Sequence, residues 1–262
     1  MTRARRLGEN MRDDAPKKSN ATGRAHLPLG LQMKMESPEI RVFVHGWPPY
    51  TGAQVELATV SMDEYTIENL QRAVSDAVSM VDQSVGGAEL PLLRPQLSVW
   101  LRSGRGARAR MRLSADLIRR ISAVGASIDF DPYMYDGMEY LRSEMTDARV
   151  APPEVSAFVL GSDPGSGAEK VIARSACGVY SFENVELLIY AMLKDACVEV
   201  GELLPRWNPR VLLQPTLRRD ERASMHFTSD VIRKIAEAGA SLEFDLSVYV
   251  DVEDQSRLLD GC

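Results

Sequence analysis

Apolar residues recur at helical spacing in two long stretches, and the second repeats the positions of the first 115 residues downstream. Between 66 and 82 the apolar positions are Ile67, Leu70, Ala73, Val74, Ala77, Val78 and Val81. The later stretch carries Phe182, Val185, Leu188, Ile189, Met192, Leu193 and Ala196. Steps of three and four residues predict one buried helical face in each. Thr66 and Ser181 are placed to cap these helices, and Tyr65 and Tyr180, one position earlier, to staple onto Leu70 and Val185. A shorter pair of helices starts after Ser114 and Thr228, with Asp116 and Asp230 near the positive end of the dipole. Gly125 and Gly239 end this pair, where the chain must enter the left-handed region.

Strict alternation marks the strands. QLSVWLRS (96 to 103) puts Leu97, Val99 and Leu101 on one side and Ser98, Trp100 and Arg102 on the other. RARMRL (108 to 113) separates Ala109, Met111 and Leu113 from Arg108, Arg110 and Arg112. SIDFDPYMY buries Ile128, Phe130 and Met134, and further strands are predicted near 39 to 46 and 54 to 61. Pro215, in the later counterpart of the 96 to 103 strand, predicts a sheet edge there.

The echo extends across the chain. PEIRVFVHGWPPYTGAQVELATVSMDEYTIENL (38 to 70) aligns without a gap on 153 to 185, and RARMRLSADLIRRISAVGASIDFDPYMY (108 to 135) aligns on 222 to 249 after a shift of 114. Such a period is far longer than the ~20 to 50 residues of solenoid repeats, so each copy should be a whole domain. The expectation is an α+β protein of two tandem ferredoxin-like repeats. Each follows the order strand-helix-strand-strand-helix-strand, with an extra N-terminal strand and one open sheet face. The expected divisions are a disordered basic tail (1 to 38), repeat 1 (39 to 135), a linker (136 to 153), repeat 2 (154 to 250) and a C-terminal tail (251 to 262).

Charge sharpens this picture. Residues 1 to 38 carry 8 Lys and Arg against 4 Asp and Glu, whereas 151 to 262 carry 11 against 18. The tail is too polar to offset its ordering entropy, and Met33 and Met35 are alternative starts on this reading. No apolar run approaches the ~20 residues of a membrane helix, and the N-terminus lacks a signal-peptide apolar core. Cys177, Cys197 and Cys262 form no CxxC pair, which suits a reducing, cytoplasmic location.

Chemistry is sparse. His26, His45 and His226 form no metal-ligand pair, no phosphate-loop or dinucleotide fingerprint occurs, and GSDPGSG (161 to 167) aligns with GWPPYTG as a hairpin turn. Neither a cofactor nor a metal is therefore expected. Asp131 with Tyr135, matched by Asp245 with Tyr249, is the best acid and hydrogen-bond-donor pair, although a structural hydrogen bond at the start of a sheet edge or across the domain joint outweighs catalysis as its explanation. SADLIRRISAVGASIDFDPYMY and its copy TSDVIRKIAEAGASLEFDLSVY resemble the C-terminal part of a bacterial family of small intracellular domains of unknown function. The resemblance implies a compact α+β domain and carries no catalytic residues across.

Three functions stay open. The first is a non-enzymatic protein-binding module, of immunity or adaptor type, recognising its partner through Trp100, Arg102, Arg108, Arg110 and Arg112, because Trp and Arg are the commonest interface anchors. The second is a small-molecule site between the repeats, lined by Asp131, Tyr135, His226, Asp245 and Tyr249. The third is nucleic-acid binding by the arginines around Trp100, against which the acidic body weighs. Alternating charges that merely solvate a sheet face, or pair across strands, compete with all three.

Overall fold

The computed structural model describes residues 39–49, 52–84, 90–103, 110–134, 155–218 and 224–249. The expected basic tail, linker and C-terminal tail lie outside the described residues, as do Arg108 and Tyr135. For Arg102 and Tyr249 only the backbone position is described. The chain is α+β. The first half runs β1 (Glu39–Gly46), β2 (Val55–Met62), α1 (Ile67–Ser84), β3 (Gln96–Ser103), β4 (Arg110–Leu113), α2 (Ala115–Ala123) and β5 (Ser127–Met134). The second runs β6 (Val155–Ser162), β7 (Glu169–Cys177), α3 (Phe182–Val200), β8 (Arg210–Arg218), β9 (Met225–Phe227), α4 (Ser229–Glu237), β10 (Ser241–Asp245) and β11 (Ser247–Tyr249). Short 3-10 turns at Leu90–Leu93 and Gly201–Trp207 precede β3 and β8.

The helix starts follow from their caps. Thr66 Oγ1 accepts the Asn69 N–H at 3.0 Å, and Ser181 Oγ accepts that of Asn184 at 3.2 Å. Ser114 and Thr228 cap α2 and α4 in the same way. Gly125 (φ 69°) and Gly239 (φ 66°) take the left-handed conformation at their ends. Tyr65 and Tyr180 pack against the core, and their hydroxyls have a second task. Tyr65 O–H donates to the Arg110 carbonyl and Tyr180 O–H to that of Ser224, each tying the start of a long helix to the segment that opens β4 or β9.

Strand pairing departs from the ferredoxin-like expectation. Such a unit keeps its central hairpin in one sheet. Here β3 is bordered on one side by β1, antiparallel, and on the other by β5, parallel, so β4 finds no free edge on its neighbour in sequence. It crosses instead to β10 in the other half, while β9 crosses to β5. The resulting sheets are β2-β1-β3-β5-β9 and β4-β10-β8-β6-β7, with β11 continuing beside β8. The two crossings share one register: Ile128 faces Phe227 and Phe130 faces Met225, as Leu242 faces Leu113 and Phe244 faces Met111. Both hairpins also carry a bulge at matching places, Val44/His45 and Val159/Leu160.

Exchange merges the cores. One continuous buried cluster draws from both halves, and Phe130 and Phe244, matching positions in the two halves, meet edge to face at 5.0 Å between centroids. Such a contact contributes about 0.5–1.5 kcal/mol beyond burial. Helix α2 lies against α4 and β10, and α4 against β5, so both short helices also bridge the halves. Pro215 does not lie on an edge strand as expected: β8 runs between β6 and the β10–β11 line. The parallel ladder breaks beside this proline, between the Leu213–Phe244 and Thr216–Ser247 pairs, which is where a missing N–H does least harm.

A shared core predicts joint unfolding. Variants retaining Trp100 alone or Trp207 alone should report the same urea midpoint. Phe244→Ala should lower both together, by about 3–5 kcal/mol. Two separate midpoints would show that the halves unfold independently.

Candidate functional site

One face of the first sheet is packed by Ile40, Val42, Val44, Leu97, Val99, Leu101, Ile128 and Phe130. The opposite pleat turns the intervening residues outward, as alternation predicted. In register across the strands, Phe43, Ser98, Asp129 and His226 form one row, and Arg41, Trp100 and Asp131 the next. Trp100 is 52% exposed in the middle of β3. Its ring meets Phe43 edge to face at 5.2 Å, and Phe43 stacks on His45 at 6.0 Å.

Beyond Trp100 the face dips into a recess of about 360 Å³, whose lining includes Ser98, Trp100, Asp131, Phe182, Ser224 and His226. Phe182, the first residue of α3, is 42% exposed and its ring lies 6.2 Å from that of His226. His226 Nδ1 is hydrogen-bonded to the Asp129 carboxylate across the exchanged β5–β9 pair. That carboxylate raises the imidazole above its ordinary value and outweighs the opposing effect of burial. Asp131 has no hydrogen-bond or ion-pair partner among the described residues.

The matching face of the second sheet is filled by ion pairs. Arg110 grips Asp245 with both arms, Nε to Oδ1 at 3.0 Å and Nη2 to Oδ2 at 2.9 Å. Asp245 is only 6% exposed, and the carboxylate holds the Arg110 guanidinium above its ordinary value. Arg210 bridges Glu243 at 3.0 Å and Glu169 at 2.5 Å, and Arg112 stands opposite Glu243.

The sequence-predicted residues are therefore redistributed. Trp100 is exposed on the open face as expected, and Arg102 lies on the same strand. Arg110 and Arg112 do not flank Trp100: strand exchange carries β4 to the other sheet. Of the alternative set, Asp131 and His226 line one recess, whereas Asp245 is engaged by Arg110 elsewhere and Tyr249 sits on β11 beside Arg218. Asp129 lies on the open face as strand alternation predicts, Phe43 and His45 carry no site assignment in the sequence, and Phe182, expected on the buried stripe of its helix, instead stands exposed at the recess. Phe43 carried a signal, an aromatic on the polar phase of its strand, repeated by Phe158.

Ser98, Asp129 and His226 are hydrolase residue types in the wrong order. Asp129 lies between the other two, leaving Ser98 about 9–10 Å, two strand spacings, from His226. A nucleophile and its base need direct hydrogen-bond reach. Among the described residues no group of three His, Cys, Asp or Glu is placed to hold a metal ion. The chain matches no protein-family model, no curated protein and no solved structure.

Two predictions follow from the ion pairs. Arg110→Ala leaves the Asp245 carboxylate buried without its cation, and urea unfolding should register a loss of about 1–3 kcal/mol, against less than about 0.5 kcal/mol for Asp131→Asn. The Asp129–His226 pair acts in the opposite pH sense to a salt-bridged carboxylate. Because the folded-state value of His226 lies above the ordinary 6.5, its contribution is complete below that pH and disappears as pH rises through the folded value. Thermal midpoints recorded from about pH 6 to 9 should fall more in the parent chain than in Asp129→Asn. Parallel profiles would remove the pair from the stability account.

Proposed function

We propose that this chain is a non-enzymatic protein-binding module of adaptor or immunity type, and that its partner docks on the open face of the first sheet. The observation that carries this reading is Trp100, half exposed and braced by Phe43 on a face that is otherwise polar. Buried aromatic anchors dominate interface energies, and a ring already held by its neighbours loses little entropy on docking. The matching residue of the second half is Gln214, so the anchor belongs to one face only. The formal charge of −6 favours fast association with a basic partner. Among the described residues Cys177 and Cys197 are free thiols, which suits a reducing compartment such as the cytoplasm.

The recess supports a second reading, a small-molecule site, since its volume falls within the ordinary ligand range. On either reading we take the halves to be copies of one α+β unit, as their aligned sequences and the family resemblance imply.

The test uses the immobilised full chain and a lysate of its source cell. A protein retained by the parent and by Gln214→Ala should be lost on Trp100→Ala. A loss of about 2 kcal/mol corresponds to roughly thirtyfold in affinity. The melting temperature of all three should agree. Retention by Trp100→Ala would remove this face from the interface, and unfolding of that variant would mean that Trp100 supports the sheet.

A further inference from the structure

The two open faces keep the same carboxylates and differ in their cations. Asp245 and Glu243 of the second sheet correspond to Asp131 and Asp129 of the first. Around the second pair stand Arg110, Arg112 and Arg210. At the corresponding places of the first sheet stand Ser224, His226 and Gln96, and all three line the recess. At these three places guanidiniums give way to one imidazole, which Asp129 already engages, while the first face's own guanidinium, Arg41, stands in register on the other side of Trp100 from Asp131. Asp131 is thus left beside a short serine, one step beyond the paired Phe130 and Met225.

The protein itself displays what a carboxylate at this position holds. Asp245, at the equivalent edge, takes both arms of a guanidinium. The first sheet adds a feature the second lacks: the indole of Trp100 lies next to Asp131 in register, where the second sheet has Gln214. A planar guanidinium can satisfy a carboxylate bidentately while stacking on an aromatic face, which an ammonium cannot do.

We propose that the recess is a guanidinium site, in which Asp131 and Trp100 receive an arginine side chain of the partner protein. The role that Arg110 plays from within the chain at Asp245 is played at Asp131 from outside it. This rests on the protein-binding reading and gives the partner its chemistry: an exposed arginine on a basic surface.

The experiment titrates the full chain with acetyl-Gly-Arg-Gly-amide and its lysine and citrulline counterparts, following the indole N–H resonance of Trp100. The arginine peptide should bind saturably, with a Kd of order 1 mM. The lysine peptide should bind more weakly and the neutral citrulline peptide should leave the resonance unmoved. Asp131→Asn should weaken the arginine peptide by about tenfold or more. Ser224→Arg supplies the guanidinium from within; it should raise the melting temperature and abolish both peptide binding and partner capture. Equal binding of arginine and citrulline peptides, or peptide binding that survives Ser224→Arg, overturns the site. If partner capture is lost with Trp100→Ala but unchanged by Ser224→Arg and Asp131→Asn, the guanidinium site is wrong while the docking face stands. If the arginine peptide binds through Asp131 and no protein is captured, the protein source is overturned in favour of a free guanidino compound.

Discussion

Both sheets depend on a strand supplied by the other half of the chain. The outer backbone groups of β5 and β10 would face solvent as unpaired edges without β9 and β4, and an unsatisfied edge is costly and prone to unwanted pairing. Because β3 and β8 are each paired on both sides, neither can hold the strand that follows it in sequence. Exchange is the arrangement left. It brings Phe130 onto Phe244 and α2 onto α4, and it obliges Tyr65 and Tyr180 to fasten the crossing segments at their starts.

The same constraint decides the electrostatics. Each crossing strand arrives with its outward residues beside a pair of carboxylates on the strand it joins. In the second sheet those residues are arginines, and the charges are neutralised within the fold. In the first they are a serine and a histidine, and one carboxylate, that of Asp131, is left half-buried in the recess without a cation among the described residues. The apolar residues that set the register, Met111 and Leu113 against Met225 and Phe227, are buried alike in the two arrangements. The surface chemistry is free to differ while the packing is not.

How much of this was legible in the sequence follows from the range of each signal. Helices and caps were readable because a 3.6-residue period and a Ser or Thr before it are local. The faces of the strands were readable too, since alternation alone places Trp100 outside and Val99 inside. Partners were not. β4 and β9 carry the same alternation, so either fits either sheet by pattern, and only the occupancy of both edges of β3 and β8 selects the crossing. Proximity in sequence accordingly predicts Arg110 and Arg112 beside Trp100, whereas pairing sets them on the other sheet. The Asp129–His226 contact joins residues 97 positions apart and leaves no local trace.

Position along the chain is consequently a poor guide to function in this protein. Ser224, His226 and Phe182 belong to the second half by sequence, yet they line a recess on the sheet built mainly by the first. A substitution in β9 therefore alters the face that carries Trp100, and one in β4 alters the stability of the opposite sheet. Two halves that align in sequence would ordinarily be compared half against half. Here the chemically distinct surfaces are the two faces, each assembled from both halves, so the comparison that isolates function sets Asp131 with Ser224 against Asp245 with Arg110. In the latter pair the carboxylate is buried under its own arginine, and in the former it lines a recess beside an indole.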